Sequence, residues 1–102
     1  MSKMGAVKVS AVTADELVHF LRLGPCGDSE RELLMKLLEA AVSYLVQSTG
    51  LDKDAIDEHS EFVYAAMVLV SHMYDNRSFH VGADYSNHMV QHIINMHRVN
   101  YA

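Results

Sequence analysis

The sequence predicts an all-α fold: one compact bundle of about four helices with short loops, a flexible N-terminal arm and a short C-terminal tail. Three observations predict it. Apolar residues recur through 29–48 at the i, i+3, i+4 spacing that lines one helical face. The nine residues Phe62–Val70 are all apolar, and the segment runs on without a breaker to Asn76, too long for an ordinary strand of about five or six residues. The chain has 102 residues, one Pro and half its residues apolar, which suits a single domain with a modest core and not a disordered segment. The expected organisation is an arm over 1–12, a helical domain over 13–98 and a tail over 99–102.

In residues 1–12 a weak alternation of Val7, Val9 and Ala11 reads as a loose or extended arm. Two lysines precede no long apolar segment there, so the stretch does not read as a secretory signal. Thr13 with Glu16 three residues on is a capping-box pair. Leu17, Phe20 and Leu21 follow at helical spacing, and Gly24-Pro25 is expected to stop a helix over 14–23. Asp28 or Ser29 is the expected cap of the next helix, 29–48, with Glu30 and Glu32 near its positive end. Its inward stripe is Leu34, Leu37, Leu38, Ala41 and Leu45, widened by Leu33 and Tyr44, and Gly50 ends it.

The connector "LDKDAIDEH" has room for one helical turn. Ser60 or an earlier acid is the expected cap of a helix over 61–76, with Asp57, Glu58 and Glu61 favoured at its start. A helix apolar on every side is expected to be buried on every side. The β-branched Val63, Val68 and Val70 leave a strand as the competing reading; length and Ala65-Ala66-Met67 decide for helix. At its end Asn76 is expected to turn left-handed and Arg77 to meet the last carbonyls, while Tyr74 buries its ring and keeps its hydroxyl wet or paired. After a connector with a turn at Gly82, Ser86 or Asn87 caps a last helix, 88–97. Its expected apolar line is Met89, Ile93 and Met96, with Val90, Ile94 and His97 beside it.

The charge balance narrows the function. Formal net charge is −5, and 51–61 holds five acids against one Lys. Groove-binding proteins need cations to neutralise phosphate, so tight DNA binding is not expected. The 14–23 and 29–48 helices could mimic a helix-turn-helix, but the second offers only Arg31 and Lys36 against three Glu. A membrane span needs about 20 apolar residues; the longest apolar run here has nine.

Catalytic patterns are missing from the sequence. There is no Gly-rich phosphate loop, GxSxG, paired-carboxylate or CxxC motif, and the acidic stretch lacks the Gly-centred spacing of a calcium loop. No cofactor and no enzymatic activity is expected. The single Cys26 excludes an intramolecular disulfide, fits a reducing compartment and reads as a loop residue. His88 and His92, four apart, share a helical face and have the spacing to seat two ligands of Zn²⁺. They have no adjacent Glu and no evident third ligand, and read as exposed polar residues. His72 reads as a satisfied, partly buried core residue. Of seven Met, two fall in the first four residues; the rest read as core, with an adaptable contact surface as the alternative.

Four segments in order, "TADELVHFLRL", "DSERELLMKLLEAAVSYLVQSTG", "VYAAMVLVSHMYDNRS" and "MVQHIINMHRV", resemble the head–tail connector (adaptor) proteins of tailed bacteriophages and prophages. The residues carrying the resemblance are Leu17, Leu21 and Arg22; Leu33, Leu34, Leu37, Ala40, Ala41 and Tyr44; Thr49 and Gly50; His72, Tyr74, Asn76 and Arg77; Met96 and Arg98. "SHMYDNRS" is the most specific. "GPCG" stands where an acidic turn is usual, and "ADYSNH" where a Pro-led entry is usual. The resemblance implies a structural virion protein assembled as a homo-oligomeric ring, dodecameric in the virion. Such a ring sits under the portal protein, extends the DNA channel toward the stopper or tail-completion protein, and passes DNA without reading it. Assembly would take place in the host cytoplasm. Tyr74, Asp75, Asn76, Arg77, Arg98, Val99 and Tyr101 are the expected subunit or partner contacts. The competing reading is a small acidic helical regulator that binds a host or phage protein.

Overall fold

The computed structural model describes residues 8–82 and 85–99, and every regular element among them is helical. A 3-10 turn, η1 (Val9–Ala11), leads into α1 (Ala14–Phe20), α2 (Asp28–Thr49), α3 (Lys53–Asp57), α4 (Glu61–Asp75) and α5 (His88–His97). α2 and α4 run antiparallel: Glu30 near the start of α2 meets Tyr74 near the end of α4. α5 packs across both members of this central pair, and α1 packs on α2.

The reading of residues 1–12 as an arm is corrected from Lys8 onward. Val9 and Val12, three apart, are 2% and 4% exposed and belong to the core. The Ser10 N–H donates to the Asp57 carboxylate at 3.0 Å. The turn has period three, which an alternating reading of Val7, Val9 and Ala11 missed. Residues 1–7 lie outside the described residues.

α1 begins as expected. Thr13 Oγ1 accepts the Glu16 N–H at 3.2 Å and Glu16 Oε1 accepts the Thr13 N–H at 2.9 Å. It ends earlier than expected, at Phe20, and Gly24 is not the terminator. Arg22 turns left-handed at φ 58°. The Leu23 N–H then reaches the Val18 carbonyl at 3.0 Å, and the Arg22 N–H reaches that of His19 at 3.1 Å, the paired bonds of a Schellman ending. The early turn returns Leu23 to the core edge.

α2 follows its stripe, with Leu34, Leu37, Leu38, Ala41 and Leu45 buried and Leu33 and Tyr44 packed beside them. Its N-cap is Gly27; neither Asp28 nor Ser29 caps it, because the helix already includes both. Gly50 closes it at φ 80°. The helical turn in the connector is α3, capped by Asp52 Oδ1 on the Ala55 N–H at 2.9 Å.

α4 is the central rod, but its cover is incomplete. Phe62, Ala65, Ala66, Leu69, Val70 and Met73 are buried. Val63, Met67 and Val68 are half-buried, and Tyr64 is 47% exposed, which corrects the expectation of burial on every side. Ser60 takes helical angles and makes no side-chain cap, and of Asp57, Glu58 and Glu61 only Glu61 lies in the first turn. α5 starts at Asn87, whose Oδ1 accepts the Val90 N–H at 3.0 Å. Its buried face is Val90, Ile93 and Ile94. Met89 and Met96, expected inside, are 54% and 56% exposed, because at about 100° per residue they lie a quarter-turn from that face.

Candidate functional site

The end of α4 gathers the residues singled out by the resemblance, although not in the expected roles. Asn76 stays at φ −95°, and Arg77 is the left-handed residue, at φ 52°. The last carbonyls are met by backbone: the Arg77 N–H reaches Tyr74 at 3.3 Å and the Ser78 N–H reaches Met73 at 3.0 Å. The guanidinium is left free to project. Asn76 donates its side-chain amide to the His72 carbonyl at 2.7 Å. The His72 ring packs on Tyr85 with centroids 4.2 Å apart, so it is the half-buried, partnered histidine expected.

Tyr74 is half-buried and donates its hydroxyl to the Glu30 carboxylate. That bond, then burial, pushes its phenol above the ordinary value. The pair lies beside an open recess of about 250 Å³, with Leu33, Leu37 and Met73 on its apolar side and Arg77 and Phe79 also lining it. Phe79 is 58% exposed. Asp75 is exposed next to this pole.

Arg98 and Val99 lie elsewhere. The Arg98 Nε–H donates to the Ser48 carbonyl at 3.3 Å and the Val99 N–H to that of Thr49 at 2.7 Å. Thr49 is buried; its hydroxyl donates to Leu45 at 2.7 Å and accepts the Leu51 N–H at 3.1 Å. At 1.5 Å per residue, Glu30 and Thr49 are about 28 Å apart along α2. The expected interface residues therefore form two poles, not one patch. Tyr101 lies outside the described residues.

Two outer stripes, one half-buried around an exposed Tyr64 and one exposed, were not evident in the sequence. On the outer side of α4, Tyr64, Met67, Val68 and Ser71 follow one another at i, i+3, i+4 and i+7 with Asp75 beyond them, and Phe20 packs edge-on against Tyr64 at 6.3 Å. On α5, Met89, His92 and Met96 make a second outward stripe. Of the cations, Arg31 is engaged with Asp15. Cys26 is half-buried in its turn and donates to the Gly24 carbonyl at 3.3 Å. His88 and His92 are exposed, and among the described residues no third ligand joins them. The set that does converge is His59, Glu61 and His97, whose ligand atoms lie within 4.8 Å of one another. No helix among the described residues is long and apolar enough to cross a membrane. The chain matches no protein-family model, no curated protein and no solved structure.

Proposed function

We propose that this chain is a structural subunit of the ring that joins the portal of a tailed-bacteriophage capsid to its stopper or tail and extends the DNA channel. The proposal rests on the ordered segments that resemble connector proteins and on one structural observation. The most apolar helix, α4, is incompletely covered by its own chain: Tyr64 is 47% exposed, and Met67 and Val68 beside it are only half-buried against the core. A helix of that composition calls for a partner on its outer side.

A second copy is the partner that fits a brick-like subunit. A ring interface is heterologous, so each subunit needs two different faces. The outer stripe of α4 and the methionine stripe of α5 are two such faces on different helices. Met is suited to an adaptable contact. The pole of Tyr74, Asp75, Asn76 and Arg77 continues the α4 stripe, and the pole of Arg98 and Val99 lies far enough away to meet portal or stopper. A net charge of −5 repels phosphate and suits a channel through which DNA slides. The subunit then acts by shape and charge, with no chemical step.

Light scattering coupled to size exclusion, run over a concentration series, tests this reading. The expected result is a monomer that converts to a species of very large mass as concentration rises. Tyr64→Glu, at the exposed residue of the α4 stripe, is expected to abolish that species without unfolding the monomer. A fixed monomer or dimer at all concentrations overturns the ring and favours the small acidic regulator.

A further inference from the structure

We propose that His59, Glu61 and His97 form a three-ligand site for Zn²⁺ at the corner where α3, α4 and the end of α5 meet. The three side chains come from segments 36 residues apart in sequence, and each is half-buried. His97 Nε2 lies 2.7 Å from Glu61 Oε2. The His59 ring lies against that of His97, with centroids 4.1 Å apart and planes tilted by 34°. The His59 ring nitrogens make no hydrogen bond to the described residues. Two imidazoles and a carboxylate, each offering one atom within 4.8 Å of the others, are the donor set that zinc takes in His₂Glu sites.

The surroundings suit a fixed site. Phe62, fully buried, sits beneath both rings, with centroids 6.1 Å from His59 and 5.0 Å from His97. It holds the rings in place and walls off one side from water. Tetrahedral coordination at about 2.0–2.1 Å places ligand atoms about 3.3 Å apart. The Glu61–His97 pair must therefore open slightly and His59 must swing inward. Glu61, whose side chain is 37% exposed, has the freedom to do so. Zinc would bind neutral imidazoles and the carboxylate, leaving its fourth position to water. Bound there, it would tie the end of α5 to the start of α4, next to the Val99–Thr49 bond. This inference is independent of the ring proposal, since it concerns a single chain.

The test is zinc titration of the EDTA-stripped full-length protein by calorimetry and thermal melting, with Co²⁺ absorption as a coordination signature. The expected result is one Zn²⁺ per chain, a melting temperature raised by zinc and not by Mg²⁺, and visible Co²⁺ bands of a tetrahedral site. His59→Gln, which removes a ring with no hydrogen bond, is expected to keep the fold and weaken zinc binding by at least about tenfold. Glu61→Gln should weaken it as well, while the double variant His88→Ala/His92→Ala should leave it unchanged. Zinc binding that survives His59→Gln and Glu61→Gln, binding lost only in His88→Ala/His92→Ala, or no binding at all overturns the proposal; the last outcome leaves Glu61–His97 as a plain ion pair.

Discussion

Replacing Arg77 with glycine separates what its backbone does from what its side chain does. Arg77 sits at φ 52°, where an L-residue costs about 1–2 kcal/mol relative to the right-handed region. Glycine removes that cost but adds about 0.5–1 kcal/mol of unfolded-chain entropy. The guanidinium makes no hydrogen bond among the described residues, so nothing else enters the balance at first order. The net expectation for Arg77→Gly is a change between zero and about 1.5 kcal/mol in favour of the fold. At about 4–8 °C per kcal/mol for a domain of this size, the melting temperature should stay level or rise by up to about 12 °C. Arg77→Val provides the opposite arm: a β-branched residue is a true outlier at this angle, and a loss of about 1–2 kcal/mol is expected. Thermal and urea unfolding of both variants measure the two effects. If Arg77→Gly lowers stability by more than a few degrees, the side chain is an essential part of the fold and the reasoning fails. If it preserves the monomer and raises the concentration needed for ring formation, the guanidinium belongs to an interface between subunits.

Other substitutions and conditions test the remaining structure. Tyr85 has a buried hydroxyl with no partner among the described residues, so Tyr85→Phe should be neutral or stabilising by about 1 kcal/mol in urea unfolding. Thr49→Val keeps the shape of the buried residue but strips the Leu51 N–H of its acceptor; a loss of about 1–3 kcal/mol is expected, with Thr49→Ser retaining most of the stability. Tyr74 and Tyr85 are both raised above the ordinary phenol value, Tyr74 by its bond to Glu30 and Tyr85 by burial. The folded chain therefore holds these protons more tightly than the unfolded chain. Their contribution is complete below about pH 10 and is lost as pH rises through the raised values. Ultraviolet titration should show the Tyr74 component moving back toward the ordinary value in Glu30→Gln, which removes the negative charge.

The helices α2, α4 and α5 were legible because their apolar spacing is strong and local, and the caps at Thr13 and Asn87 because their partners lie three residues away. The ends of α1 and α4 were misread for a shared reason. Both close on a left-handed arginine, and a sequence reading looks first to Gly or Asn for that position. The inside and outside of α5 were confused because Met counts as apolar wherever it stands, while only Val90, Ile93 and Ile94 share the core face. The coverage of α4 depends on where α2, α5 and η1 pack against it, which composition does not specify. The conspicuous histidine pair was the local one, His88 and His92. The convergent set needed α5 folded back onto the start of α4 before His97 could meet Glu61.

α5 is ten residues long, too short to be stable as an isolated helix in water. It hangs on the long connector after α4 and inserts only three side chains into the core. Its far end is secured by the Glu61–His97 and Val99–Thr49 bonds. Detachment of this element is therefore cheaper than separating α2 from α4. Amide exchange over 88–97 should run ahead of exchange in the central helices, and anything that grips the His97 corner should slow it selectively.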